Sequence, residues 1–106
     1  MSATLTQVQS LVLRGAYLIS NHAYDELLDD WISAKDILHD IVNAELIEDY
    51  LDAMRGPSVL LLQHDQRGAI HTVWGIPKGF DEPAILITAY RPDPDRWSAD
   101  FRRRRT

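Results

Sequence analysis

The chain contains no cysteine, and this absence excludes disulfide bonds, thiolate zinc sites and cysteine nucleophiles. No apolar run approaches the roughly 18 residues that span a bilayer. Residues 1–15 also lack the basic start and the long apolar centre of a secretory signal. These absences predict a cytoplasmic protein without a membrane-spanning segment.

Glycine and proline are scarce, with five of each among 106 residues, and no Gly/Pro-rich linker, internal repeat or low-complexity stretch divides the chain. Compact domains usually contain about 100–150 residues. We therefore expect one domain over residues 1–106, with a basic C-terminal tail at 98–106.

The net charge of −5 is unevenly distributed. Residues 20–65 hold eleven acidic residues against Lys35 and Arg55, whereas residues 66–106 hold eight basic residues against five acidic ones. Because general nucleic-acid affinity comes mainly from clustered Lys and Arg, this balance argues against indiscriminate binding but leaves room for a local phosphate site. The four arginines at 102–105 either bind nucleic acid or an acidic partner, or form a frayed, solvated terminus.

The hydrophobic periodicity predicts helices first and strands second. We expect a first helix over 5–14 and a second from Ser20 or Asn21 to about 31. A third helix is expected to begin at Ser33, where Asp36 completes a capping-box pattern. A short extended piece is expected at 16–20, and strands are expected over 46–51, 58–64, 69–75 and 84–90. The apolar runs of the second and fourth of these strands indicate central positions. This order predicts an α+β domain with N-terminal helices packed on a small antiparallel four-stranded sheet, followed by a last helical turn in the tail.

The helix that begins near residue 21 has an amphipathic pattern. One side is expected to be buried and carries Ala23, Tyr24, Leu27, Leu28 and Trp31; the other is expected to face solvent and carries His22, Asp25, Glu26, Asp29 and Asp30. His22 and Glu26 are spaced i,i+4 and therefore neighbour each other. The pair is compatible with a histidine base oriented by a carboxylate, with two metal ligands, or with an ordinary solvated face. A metal site needs more ligands than this motif supplies, so we expect no metal and no other cofactor.

Basic and phenolic side chains in the second half of the chain offer further chemistry. Lys78 lies in a loop bounded by glycines, where it is either a phosphate contact or an exposed residue of a structural turn. Tyr90 is a candidate general acid or a core residue with its hydroxyl at the rim. Arg91 and Arg96 are candidate phosphate contacts, and Arg91 could instead pair with the acidic half of the chain.

Four segments together resemble domain-of-unknown-function family 4258 from about residue 19 to residue 97: "ISNHAYDELLDDWISAKDILHDI", "AELIEDY", "GPSVLLLQHDQRGAIHTVWGIPKG" and "AILITAYRPDPDRW". The most specific elements are Ser20-x-His22-Ala23 at a helix start, Ile32-Ser33 at the next helix, and Tyr90 at a strand end. The family is similar to RelE-like and BrnT-like bacterial toxins, which are metal-independent ribonucleases inhibited by an antitoxin protein. The resemblance thus implies a RelE-like fold, RNA as substrate and an antitoxin as partner.

The chain departs from the commoner family pattern, which has arginines where Glu26 and Asp30 stand. Two anions would repel RNA phosphate, so either the activity is lost or the phosphate contact shifts to Lys78, Arg91 and Arg96. Our leading interpretation is a toxin-like endoribonuclease with His22 as base, Glu26 as its orienting group and Tyr90 as acid. The alternative is a non-catalytic protein-binding module that docks partners through the acidic helix, or that pairs its exposed strand edges with another chain, including a second copy.

Overall fold

Apart from the short strand β1, which lies between the first two helices, the helices precede the strands, as the periodicity predicts. The computed structural model describes residues 2–106. Its helices are α1 (Ala3–Leu13), α2 (Asn21–Asp29) and α3 (Ala34–Asp40), with a 3-10 turn at Ile41–Asn43; its strands are β1 (Tyr17–Ile19), β2 (Glu45–Tyr50), β3 (Ser58–Asp65), β4 (Gly68–Gly75) and β5 (Ala84–Tyr90). The α+β class is therefore confirmed.

The sheet has five strands within the described residues, in the order β1-β5-β4-β3-β2, rather than the four that the sequence predicts. Strands β2 to β5 form the expected antiparallel meander, with β3 and β5 inside the sheet. The added strand is β1, which pairs in parallel with β5 from Tyr17↔Ala84 to Ile19↔Leu86. A three-residue strand has too little periodicity to reveal its partner, and this partner lies more than sixty residues away in the sequence.

The main core lies between one face of the sheet and helices α1 and α3. Its buried side chains include Val8, Leu11, Ile37, Ile41, Val59, Leu61, Trp74 and Leu86. One buried polar group, Gln63, joins three elements: its amide donates to the carbonyl of Ile37 at 2.9 Å, and its carbonyl accepts from Thr72 and Trp74. Because every polar atom of this side chain is paired, its burial carries little desolvation cost.

Helix α2 is oriented differently from the prediction. Ala23 and Leu27 are buried as expected, but Tyr24, Leu28 and Trp31 are exposed. Glu26 and Asp30, which were expected to face solvent, are instead partly buried. The predicted division of this helix into a buried apolar side and a solvated acidic side is therefore wrong.

One prediction about α3 also needs correction. Ser33 is the N-cap residue but its side chain makes no capping hydrogen bond, so the predicted capping box is not formed. The apolar pattern continues past Asp40 into the 3-10 turn, where Ile41 is buried and Val42 is exposed.

The C-terminal tail forms no helical turn. It reverses direction instead: Trp97 and Arg104 form an antiparallel bridge, and the amide of Ser98 donates to the carbonyl of Arg103 at 2.7 Å. The arginines at 102–105 are not a frayed terminus either. Arg102 forms a salt bridge with Glu45 at 2.7 Å, and Arg104 forms one with Glu48 at 2.9 Å. These two salt bridges hold the tail against β2, on the face of the sheet opposite the helices.

Candidate functional site

Helix α2 lies along the edge of β5. Strand β1 pairs with β5 only as far as Leu86, so the following residues would present unpaired backbone groups on that side. Ser20 donates its hydroxyl to the carbonyl of Ile87 at 3.0 Å, and its own amide donates to the carbonyl of Leu86 at 3.0 Å. The start of α2 therefore continues the pairing where β1 ends.

Glu26 of α2 and Asp30, the C-cap residue of this helix, accept hydrogen bonds from two backbone amides at the end of β5 and just after it. The amide of Ala89 donates to Glu26 at 3.0 Å, and the amide of Arg91 donates to Asp30 at 2.9 Å. Four helical residues advance about 6 Å and two strand residues advance about 6.7 Å, so carboxylates at i and i+4 match amides two residues apart. Arginine has no acceptor atom, which gives a structural reason for acids at these positions in this chain.

The predicted His22–Glu26 contact is formed. The His22 Nε2 lies 3.2 Å from the Glu26 carboxylate, and Thr88 donates its hydroxyl to the same carboxylate oxygen. When Nε2–H faces Glu26, the other ring nitrogen of this exposed histidine is the one left to accept a proton. This contact is compatible with the predicted roles of base and orienting carboxylate, and equally with a structural ion pair.

Tyr90 lies at the end of β5 and opens onto a cleft. The cleft has a volume of about 300 Å³ and is lined by Tyr90, Arg91, Asp93, Arg96, Trp97 and Arg104. Burial raises the pKa of the Tyr90 hydroxyl above its ordinary value, and the negative charges of Glu26 and Glu48 add to that effect against the opposing charge of Arg104. Tyr90 therefore keeps its proton at neutral pH, as an ordinary tyrosine does, and its raised pKa makes it a weaker proton donor than a free phenol.

The three arginines of the cleft differ in how far they are already engaged. Arg91 makes a bidentate pair with Asp65 at 2.6 and 2.9 Å. This pair lowers the pKa of Asp65 and raises that of Arg91. Arg104 makes a bidentate pair with Glu48 and lies 4.7 Å from the centre of the Trp97 ring. Arg96 has only a 3.9 Å contact with Asp93, and its side chain is 83% exposed. Arg96 is thus the most available of the three for an anionic ligand.

His71 is a buried neighbour of the cleft to which sequence analysis gave no role. Its ring lies 5.6 Å from that of Tyr90 and 4.4 Å from that of Trp97, and Nε2 is 2.8 Å from the carbonyl of Phe101. Burial lowers its pKa, so the ring is neutral at pH 7 and donates Nε2–H to that carbonyl. Within residues 2–106, Nδ1 has no hydrogen-bond partner. His71 pairs with Tyr90 across β4 and β5, a relation that no local sequence pattern indicates.

Lys78 lies apart from the other predicted residues. It follows β4, and its amide donates to the carbonyl of Arg55. His71 pairs with Tyr90, and the four further residues to Gly75 extend about 13 Å along the strand before Lys78 is reached. The structure thus places Tyr90, Arg91 and Arg96 in one cleft after β5, and His22 and Glu26 outside its lining, beside Thr88 of the same strand. Lys78 lies beyond the far end of β4. The predicted roles of all six residues stay predictions.

Across residues 2–106, no three His, Asp or Glu side chains are arranged to hold a metal ion. In the same part of the chain, no helix combines the length and apolar character needed to cross a membrane.

No curated protein and no solved structure matches the chain significantly. A family model described as a domain of unknown function, DUF4258, matches residues 19–91. The match begins where the sequence resemblance begins and ends just after β5, so Arg96, Trp97 and Arg104 of the cleft lie outside it. Because the matched region covers more than half of the 106 residues, the chain belongs to the DUF4258 family.

Proposed function

We propose that this protein is a toxin-like domain, similar to the RelE-like toxins, that cleaves RNA without a metal ion. The observation that carries the proposal is the position of Tyr90, a protonated phenol at the end of β5 in a cleft lined by three arginines. Two of these arginines are paired with carboxylates, so Arg96 is the cation of the cleft that is most available to an RNA phosphate. The resemblance to toxins also implies an inhibitory antitoxin partner.

The proposed reaction uses the ribose 2′-hydroxyl as an internal nucleophile, so neither a metal-bound water nor a cofactor is required. His22 removes the 2′-hydroxyl proton, with Glu26 holding the ring in place. The oxygen attacks phosphorus, the bond to the 5′-oxygen breaks, and Tyr90 donates its proton to that leaving oxygen. Arg96 stabilises the charge that develops on the phosphoryl oxygens.

The spacing of these groups along β5 supports such a division of roles. Thr88, whose hydroxyl contacts both Glu26 and His22, lies two residues before Tyr90. Side chains two residues apart on a strand lie on the same face, about 6.7 Å from each other. The His22 ring reaches the Thr88 hydroxyl at 3.5 Å, so the proposed base lies beside the residue that stands two positions before the proposed acid.

The test is cleavage of a short, 5′-labelled single-stranded RNA in buffer that contains EDTA. We expect cleavage with 2′,3′-cyclic phosphate ends, and a decrease of about 10² to 10⁴-fold in rate for His22→Ala and for Tyr90→Phe. Lys35→Ala, which removes an exposed cation of α3, is the matched control and should cleave at the wild-type rate.

Induced expression in bacteria provides a second readout, since an active ribonuclease of this type slows growth and the two variants should not. The proposal is wrong if the wild-type protein leaves RNA intact and growth unchanged. It is also wrong if His22→Ala and Tyr90→Phe cleave as fast as Lys35→Ala, because the activity would then come from another site.

The role of Arg96 can be tested separately through the salt dependence of RNA binding. The other two cleft arginines are held by carboxylates, so we expect few released counterions and a slope of log K against log salt of about −0.7 for one phosphate contact. Arg96→Ala should remove most of this dependence. A steep slope that persists in Arg96→Ala would place RNA on a different surface.

A further inference from the structure

Trp31 combines two features that rarely occur together. Its backbone has φ of 56°, in the left-handed region that disfavours bulky residues, and its side chain is 78% exposed. The strained backbone is thus not offset by burial of the indole within the chain.

The position of Trp31 in the end of α2 explains the backbone conformation. Asp30 is the C-cap residue, the amide of Ile32 donates to the carbonyl of Leu27 at 2.9 Å, and the amide of Trp31 donates to the carbonyl of Leu28 at 3.5 Å. This is the Schellman arrangement, in which the residue after the C-cap is left-handed and is usually glycine. The fold therefore requires the turn but not the tryptophan.

Trp31 lies just past an exposed apolar pair on α2. Tyr24 and Leu28 are spaced i,i+4 and therefore lie on one side of the helix, and Trp31 follows the C-cap at the end that carries Leu28; we call these three residues the stripe. Their exposed fractions are 51%, 76% and 78%, so the stripe has no partner among the residues that the structure describes. Exposed aromatic and aliphatic side chains in a contiguous stripe are typical of a protein-binding surface.

The border of the stripe is acidic. Successive helical residues are about 100° apart, so Asp25 and Asp29 follow Tyr24 and Leu28 on the solvent side, and both are exposed. Helix α2 itself contains no Lys or Arg. A partner that covers the stripe must therefore bring apolar side chains bordered by positive charge.

We propose that the Tyr24–Leu28–Trp31 stripe docks a basic amphipathic helix of a partner protein. Such a helix buries its apolar face on the stripe and places flanking Lys or Arg side chains beside Asp25 and Asp29. A second copy of the chain is a poor occupant, because it brings the same carboxylates and a net charge of −5. An anionic membrane surface is disfavoured for the same electrostatic reason.

The first experiment compares the Tm of the wild-type protein with that of Trp31→Gly, to test whether Trp31 lowers the stability of the fold. Glycine fits the left-handed position without strain, so we expect Trp31→Gly to raise Tm by about 4 °C. A decrease in Tm would show that Trp31 is a packing anchor and would overturn the proposal. Leu28→Ser gives an independent variant at an exposed position.

The second experiment uses a synthetic helical peptide as the probe, with leucines at i, i+3, i+4 and i+7 flanked by lysines, and a control peptide with glutamates in place of the lysines. Trp74 and Trp97 are 0% and 4% exposed, so a blue shift and protection from acrylamide quenching report on Trp31. Calorimetry measures the affinity of the variants that lack this indole.

We expect the lysine peptide to bind and the glutamate peptide not to bind. Trp31→Gly and Leu28→Ser should each weaken binding at least about tenfold, and Asp25→Asn with Asp29→Asn should flatten its salt dependence. Leu13→Ser, at an exposed position of α1, is the matched control and should leave binding unchanged. Absence of binding at millimolar peptide, or equal binding of the two peptides, overturns the proposal.

Two further measurements separate this surface from other occupants and from the RNA site. A dimer in sedimentation that Trp31→Gly dissociates would assign the stripe to a second copy, and binding to phosphatidylglycerol vesicles would assign it to a membrane; either result overturns the proposal. Trp31 and Leu28 touch none of the groups assigned to RNA cleavage, so their variants should cleave RNA at the wild-type rate.

Discussion

Helices α1 and α2 attach to the same sheet in opposite ways. Helix α1 lies across β3, β4 and β5 and buries Val8, Leu11 and Val12. Helix α2 lies along the edge of β5 and directs Glu26 and Asp30 toward backbone amides. A sheet face presents side chains, so its helix needs an apolar stripe; a sheet edge presents N–H groups, so its helix needs acceptors at matching intervals. The same kind of amphipathic sequence therefore serves in two opposite orientations.

The largest effect is expected where α1 meets the sheet face. Leu11 is 2% exposed, so Leu11→Ala leaves a cavity and should lower the free energy of unfolding by about 2–5 kcal/mol. Urea denaturation measures this change. Leu13→Ala, at the exposed end of the same helix, should stay within about 0.5 kcal/mol. Similar losses for the two variants would mean that α1 does not pack through the face described.

A smaller but specific loss is expected where α2 meets the edge. Glu26→Ala leaves the amide of Ala89 and the hydroxyl of Thr88 without their acceptor, which should cost about 1–3 kcal/mol. Hydrogen exchange at the Ala89 amide should accelerate more than at amides inside the β3–β4 ladder.

Two controls show whether the loss at Glu26 comes from the acceptor rather than from the helix. Glu26→Gln keeps a carbonyl oxygen within reach of the same amide, and should retain most of the stability. Asp29→Ala removes an exposed carboxylate from the same helix and should have little effect. If Asp29→Ala costs as much as Glu26→Ala, the edge contact is not the source of the stability.

The comparison of the two helices also explains which parts of the fold the sequence could predict. The order of the elements and most strand positions follow from the local periodicity of apolar residues. Helix α1 and strands β3 to β5 show this periodicity because they pack through a face of the sheet. The orientation of α2 depends on an edge that exists only because β1 ends at Ile19, opposite Leu86 of β5, and no local sequence pattern indicates that pairing. Glu26 and Asp30 therefore looked like solvated acids, and Tyr24, Leu28 and Trp31 looked like core residues.

The candidate site was predictable to a similar extent. His22 and Glu26 are neighbours because helical spacing alone brings them together. Tyr90 and Arg96 share a cleft because the chain turns immediately after β5. They are only six residues apart in the sequence, so their proximity could be expected from the sequence alone. Arg104 and His71 depend on the reversal of the tail over β4, and Lys78 is distant because of strand direction. These relations are long-range and leave no local signature.

Acid should weaken the ionic contact beside the α2 edge while leaving the apolar contacts of α1 unaffected. Arg91 lowers the pKa of Asp65 below its ordinary value of 3.8. The pair therefore stabilises the folded state fully above that value, and the contribution disappears as pH falls through the lower folded-state pKa. Asp65→Asn should cost about 1 kcal/mol at pH 6, since the Arg91 side chain is partly exposed. Urea midpoints should show this difference shrinking toward pH 3, and a constant difference would contradict the ionic origin.

The smallest expected effect separates two serines that occupy the same helical position. Ser20 caps α2 by accepting from the amide of Ala23 at 3.0 Å and also donates to Ile87 on the edge of β5. Ser33 begins α3 without any side-chain capping bond. Ser20→Ala should therefore lower the free energy of unfolding by about 1 kcal/mol, and Ser33→Ala by less than about 0.5 kcal/mol, measured by urea denaturation.

A Ser20→Gly variant divides the Ser20 effect into its two parts. Glycine is a good N-cap residue and usually costs only a few tenths of a kcal/mol at that position, but it cannot donate a hydroxyl to Ile87. If Ser20→Gly is as unstable as Ser20→Ala, the serine acts mainly through the sheet edge, as Glu26 and Asp30 do. If Ser20→Gly is nearly as stable as wild type, the cap is the larger part, and the attachment of α2 to β5 depends chiefly on its two carboxylates.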